Sequence, residues 1–453
     1  MRNYFLLIIA VICTFSDARA ENLLVSSGSL DLRGVSSLNS DSVREDPTAI
    51  GRVKIDGNGL VWQFHSWLEG GWDGTVKRPS QDKDLFKNYS NVYQSNSPYI
   101  EIKELYAHYA SNAIDLKAGI QRFAWGRLDE YPPNDLLNPW DYSQFLRKPL
   151  KDRKIGVPSL ALSVDHGTLT YDTVWIPWFV PYRLPLPDER WSGVSIASAL
   201  SQVPNAEITP AEPDLPPRTI ENGTVGLRIR RAGEIEWAIN LFHGFDPKPV
   251  FKTTSLKIDV QAGTTMIDPG YEPDLHRITS IGMDGAKVMG DWSIRAEAAY
   301  IANRYFNIRR ELWGYPATAA PGVYPLNDIE HKSDSLDYGL NADYRLFEDG
   351  LLTMQAQQTM ILNRPDTLYD KKVETILWAN IKAGWMNQKV ETNISIAYNP
   401  EHGAFMAKAK ALYVFTDAWK AGITAIDLTG PLQSVFGRYA QNDQIEAELT
   451  YSW

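Results

Sequence analysis

Gln444-Ile-Glu-Ala-Glu-Leu-Thr-Tyr-Ser-Trp453 closes the chain. In an extended strand Ile445, Ala447, Leu449, Tyr451 and Trp453 share one face, and Gln444, Glu446, Glu448, Thr450 and Ser452 share the other. In water, a half-apolar edge strand ending on Trp invites aggregation. In lipid the same pattern is what a closing barrel strand requires, apolar outward and polar inward.

The same period of two recurs upstream. Leu336, Tyr338, Leu340, Ala342, Tyr344 and Leu346 alternate with Asp337, Gly339, Asn341, Asp343 and Arg345. Val390, Thr392, Ile394, Ile396 and Tyr398 alternate with Glu391, Asn393, Ser395 and Ala397. Such alternation predicts strands with one apolar face. About 16 strands follow, the first near 58–68 and the last near 443–453, mostly about 10 to 13 residues long, enough to cross a bilayer when tilted. Very short links follow every second strand, as at Ser111-Asn112, His166-Gly167 and Ala232-Gly233. The intervening links, such as 124–156, 179–221 and 245–275, are mostly long; the short one near Glu401–Gly403 is an exception. A sandwich has no reason to alternate its connections this way. A membrane barrel does, with short periplasmic turns and long external loops. The predicted fold is therefore all-β: a transmembrane antiparallel up-and-down barrel closed by its C-terminal strand.

The amino terminus is consistent with export. Arg2 precedes the apolar run Tyr4–Phe15, and Ala18-Arg19-Ala20 offers a cleavage site. Residues 1–20 read as a secretory signal peptide. The only cysteine, Cys13, lies within it, so disulfides and thiolate chemistry are excluded from the mature chain. The formal charge of -10 argues against nucleic acid as a partner. Mean hydropathy is -0.30, and no second long apolar run exists. Residues 21–57 read as a periplasmic amino-terminal segment; Leu30-Asp31-Leu32 and Val53-Lys54-Ile55 leave open two extra strands, for a total of 18. The barrel proper is expected over 58–453.

Channel chemistry would lie on side chains facing the lumen and on any loop folded inward. Opposite the apolar parity stand Arg228, Arg230, Arg295, Glu297, Asp343, Arg345, Lys408 and Lys410. The segment QRFAWGRLDEYPPNDLLNPWDYSQFLRKPLKDRK (121–154) is dense in charge and aromatics, and Pro132-Pro133 and Asn138-Pro139 stiffen it. We expect it to enter the pore and line a constriction with Arg127, Asp129, Glu130, Asp135, Asp141, Arg147 and Arg153. The alternative is a rigid external cap held by Asp–Arg pairs. Arg122 has outward parity and belongs at the rim or beyond a bulge. Trp175, Trp178, Phe179 and Tyr182 are expected in an external aromatic girdle, with a sugar-stacking track as the sharper reading. No G-x-S-x-G, H-E-x-x-H or Walker loop occurs, so an enzyme is not expected. No cofactor and no metal site are expected either.

Two stretches carry a family resemblance. Leu449, Tyr451 and Trp453 resemble the C-terminal assembly signal of bacterial outer-membrane barrels. Gly119…Trp125-Gly126-x-x-Asp129, then Asn138-Pro139-x-Asp141, Arg153-Lys154-Ile155 and Val174-Trp175-Ile176-Pro177, resemble a loosely characterised group of such barrels. That group is distantly similar to alginate-export channels and porin-like proteins. The resemblance implies solute passage through the barrel. The barrel reading itself makes outer-membrane lipid and the barrel-assembly machinery the expected partners, with a homo-oligomer as an option. The leading expectation is a Gram-negative outer-membrane channel for passive diffusion of small polar or charged solutes. Alternatives are a barrel sheath around an electron-transfer partner, a channel for hydrophobic catabolic substrates, and a blocked adhesion or scaffold barrel.

Overall fold

A computed structural model describes residues 24–38, 47–59, 61–74, 76, 97–185, 189–191, 215–246, 248–261, 264–308, 322–325 and 330–453. The expected signal peptide lies outside the described residues, as do positions 204–214 of the Pro-rich stretch PNAEITPAEPDLPP (204–217), which the sequence reads as an irregular external loop. The strands are β1 (Leu24–Ser37), β2 (Thr48–Asn58), β3 (Trp62–Asp73), β4 (Tyr99–Ala110), β5 (Ile114–Gln121), β6 (Val157–His166), β7 (Leu169–Ile176), β8 (Thr224–Arg231) and β9 (Ile235–Phe245). After these come β10 (Val250–Gln261), β11 (Thr264–Asp274), β12 (Arg277–Met289), β13 (Trp292–Asn307), β14 (Gly322–Pro325), β15 (Glu330–Phe347) and β16 (Gly350–Ile361). The last are β17 (Val373–Trp385), β18 (Val390–Asn399), β19 (Ala404–Val414), β20 (Trp419–Thr429) and β21 (Gln444–Ser452).

Eighteen of these form one closed antiparallel sheet. Each strand pairs with its neighbours in chain order, β9 passes to β12 and β13 to β15, and β21 pairs with β1 to close the ring. The count exceeds the expected 16 because β1 and β2 belong to the wall; 21–57 is not simply a periplasmic tail. β1 is a faint strand in sequence because Gly28, Gly34 and Ser36 interrupt an outward face on which only Leu30 and Leu32 are large within GSLDLRGVSS. Its register with β21 runs from Ser29↔Ser452 to Ser37↔Gln444. Two backbone hydrogen bonds then join Gly28 to Trp453, each 3.1 Å long.

Short turns set the hairpins at one end. Gly167 and Gly290 open two-residue turns with φ of +64° and +61°, a conformation that needs no Cβ. Leu24, the first described residue, and Trp453 lie at this side. At the other end, β10, β11 and β14 form a separate three-stranded sheet, in the order β11-β10-β14, within what the sequence reads only as long links.

The outer face is apolar. Ile281, Leu340, Leu377, Ile394, Ile423 and Ile445 are exposed on it, while the opposite parity holds buried polar groups such as Asp284, Asn341, Thr353, Asn380 and Glu446. This inverts a soluble protein, where exposed strand faces are polar. Near the short turns, aromatic pairs ring the wall: Trp62–Tyr109, Trp292–Tyr344, Phe347–Trp385 and Trp419–Tyr451 have ring centroids 4.5 to 5.6 Å apart. Such girdles mark a membrane–water interface. At the opposite end the expectation for Trp175–Tyr182 needs correction. Trp175 faces outward, but Phe179 is buried against Phe245 and Tyr182 packs on Tyr142. Pro177 and Pro181 cannot donate ladder hydrogen bonds, so the chain leaves the wall there and turns inward.

Candidate functional site

The connection from β5 to β6, residues 122–156, lies across the inside of the ring. Asn138 folds its base: its side chain accepts from Phe123 N (2.6 Å) and donates to Gln121 O (3.1 Å) and Ile155 O (2.8 Å). Pro132 and the short helical turns Phe145–Arg147 and Leu150–Arg153 shape the rest.

The loop is bound to wall strands all around the barrel. On one side Arg127 donates to Asp284 on β12 and Glu236 on β9, each at 2.6 Å. Glu297 on β13 accepts three loop N–H groups, from Asn134 (2.6 Å), Arg127 (2.7 Å) and Leu128 (3.2 Å). Gln355 on β16 donates to Glu130 O at 2.7 Å and accepts from Asp129 N at 3.0 Å. Arg295 on β13 joins Asp129 to Asp343 through contacts of 2.8 Å. On the other side Arg147 donates to Glu446 on β21 at 3.0 Å, Lys408 on β19 donates to Leu146 O at 3.0 Å, and Gln144 bonds Asp73 on β3.

Glycines in the wall make room for this docking. A Cβ at Gly226 would lie 2.8 Å from the Trp125 ring, and one at Gly339 would lie 2.7 Å from Leu128. One at Gly282 would run into the Asn134 side chain. Within the loop, Gly126 holds φ at +91° with the Glu297 carboxylate against it, a place where a side chain would meet both strain and collision.

A buried ionic cluster fastens the loop to β3 and β4. Asp141 accepts from Lys148 (2.7 Å) and Arg183 (3.0 Å), and Arg183 also pairs with Glu101 (3.2 Å). Lys103, fully buried, lies 3.1 Å from Glu101 and 3.8 Å from Glu69. The segment carrying Arg183 joins the loop by a parallel bridge at Asp141 and by Tyr142 N to Arg183 O at 2.8 Å. Burial opposes the charge on Asp141, yet Lys148, Arg183 and Lys103 hold its carboxyl well below the ordinary range. Elsewhere in the loop burial wins. It pushes the Asp135 carboxyl up despite the Lys154 ammonium beside it, and it pushes Glu130 up despite Arg153.

The expected site residues therefore divide. Asp135, Asp141, Arg147 and Arg153 are buried, and brace the loop from within; they do not line water. Glu297 is likewise covered. Arg230, paired with Asp172 at 2.9 Å, and Arg345 lie near the short-turn end, away from the loop. Arg127 and Asp129 stand on the loop's partly exposed edge against Arg295 and Asp343 of the wall, and Arg228 reaches Asp284 behind them. Lys410 pairs with Glu448 at 2.6 Å next to Lys408. Arg122 lies against Glu104 at 3.3 Å and over the Trp67 ring at 4.1 Å. Sequence reading missed Arg183, Glu101, Lys103, Asp284 and Gln355. Glu101 and Lys103 left a signal, opposite charges two residues apart on one face of a strand (YIEIKELY); Arg183 left none.

Neither a family profile nor a curated relative matches the sequence. Solved structures do match the fold. The barrel of Acinetobacter baumannii OccAB4 is similar over 96% of this chain and 98% of its own, at 9% identity and a TM-score of 0.50. Acinetobacter baumannii OccAB1 gives 96%, 98%, 8% and 0.50. Pseudomonas aeruginosa OccK2 (OpdF) in complex with glucuronate gives 95%, 97%, 8% and 0.50. The fold is that of bacterial outer-membrane porins. At such low identity the likeness extends to the barrel's architecture and not to its solute.

Proposed function

We propose that this protein is a passive outer-membrane channel, and that residues 122–156 form its constriction. The observation that carries the reading is the loop itself, held across a closed ring by bonds to strands on every side of the wall. An apolar exterior requires lipid, and a charged interior suits hydrated solutes. At the narrowed passage Arg127, Asp129, Arg295 and Asp343 offer both signs of charge to a passing solute, with Lys408 and Lys410 beyond. Small polar or charged solutes are the class that such a lining selects. Residues 1–20 would be removed on export, and Leu449, Tyr451 and Trp453 would be read by the assembly machinery.

Two other readings fit less well. A sheath around an electron-transfer protein needs a lumen free to receive it, and the loop takes that space. A channel for hydrophobic substrates needs an apolar lining. Nothing in the sequence or at the loop resembles a catalytic constellation. Purified protein in a planar bilayer should give ohmic single-channel steps, and Arg295→Gln should shift cation/anion selectivity. A silent bilayer, under conditions where a general porin conducts, would remove the channel reading.

A further inference from the structure

Away from the constriction, Asp274 at the end of β11, His276 just after it and Glu330 at the start of β15 converge at the long-loop end of the barrel. His276 Nε2 lies 2.9 Å from Glu330 Oε2 and 3.7 Å from Asp274 Oδ2. Two carboxylates thus approach one ring nitrogen. A single Nε2 proton serves one of them well, and at 3.7 Å the other is beyond hydrogen-bond reach. A cation can be shared by all three.

The ring is held for this role. His276 stacks on Tyr305 with centroids 3.5 Å apart and planes 11° from parallel, and its carbonyl accepts from Asp246 N at 2.8 Å. Asp274 Oδ1 accepts from Leu275 N at 2.9 Å, which turns Oδ2 toward the histidine. We propose that these three residues bind a divalent transition-metal ion of the zinc type. One imidazole nitrogen and two carboxylate oxygens suit Zn²⁺; Ca²⁺ and Mg²⁺ prefer larger sets of oxygen ligands. With metal–ligand distances of about 2.0–2.2 Å, the two N···O separations subtend roughly 90° and roughly 125° at the ion, on either side of the tetrahedral angle. Water completes the shell. His276 and Glu330 are 54 residues apart in sequence, so the ion would tie the base of the β10–β11 hairpin to the first residue of β15 and stiffen the mouth of the barrel.

The full chain, refolded in detergent without a histidine tag and freed of metal, is titrated with Zn²⁺ and separately with Co²⁺. One equivalent should bind. Co²⁺ should give visible absorption of tetrahedral strength that Zn²⁺ abolishes and excess Ca²⁺ does not. His276→Ala and Glu330→Gln should each weaken binding at least tenfold, while His331→Ala, one residue away on the other face of β15, should leave it unchanged. Absence of stoichiometric binding, or binding indifferent to His276→Ala and Glu330→Gln, overturns the proposal. Single-channel conductance of the same preparations reports on the channel reading independently.

Discussion

Asp141 is fully buried and ionised, and the reason is local: Lys148 and Arg183 contact it and Lys103 stands behind them. Removing one partner of a buried ion pair leaves the other charge stranded, so Asp141→Asn should weaken loop docking by about 3–5 kcal/mol. The pH dependence has two parts. A carboxyl held below its unfolded value of about 3.9 stabilises the fold above that value and loses the effect as pH falls through the folded one. Glu130 and Asp135 are raised, so they favour the docked loop when protonated and oppose it as pH rises. Hydrogen-exchange protection of 122–156 should therefore rise as pH falls from neutrality toward the unfolded carboxyl values near about 4, and decline only below them. A flat profile, or a loss starting near neutrality, would contradict both assignments. The charges of this cluster are plain in the sequence, but their pairing is not. Arg147 meets Glu446 across 299 residues and Arg183 meets Glu101 across 82, distances over which no spacing rule operates.

At the level of elements, strands and loop differ in how they declare themselves. A strand with one face in lipid must alternate, so β15 and β18 can be bounded to within a few residues by counting. The loop has no period. Its place inside the ring depends on partners scattered over the wall, and on glycines at 226, 282 and 339 that read in sequence only as weak points in strands. Replacing 125–147 by a short Gly/Ser link should raise single-channel conductance several-fold while the barrel keeps its heat-modifiable gel mobility. Glu297→Ala removes the acceptor for three loop N–H groups and should produce the milder form, a flickering current of higher mean. An unchanged current in both variants would mean that the loop does not limit passage.

For the molecule as a whole, the decisive inversion is that greasy side chains cover the outside. Residues 21–453 should refold in detergent micelles to a heat-modifiable β-structured monomer or oligomer, and should aggregate when detergent is removed. Truncating Tyr451 and Trp453 to Ala strips the paired rings beside Trp419 and should lower the refolded yield, measured by gel shift. A soluble compact monomer without detergent would be incompatible with the exposed apolar belt.

Period-two alternation, alternating link lengths and an aromatic last strand were enough, read from the sequence alone, to determine an antiparallel barrel in lipid. Each of these is a local consequence of a wall with water on one side and hydrocarbon on the other. Only the tertiary structure decided that the ring has eighteen strands, that 122–156 crosses it, and that Asp141 and Glu297 are fastenings and not lining. Those depend on closure and on contacts between residues hundreds of positions apart, where the energy lies in the pairing and not in any one side chain.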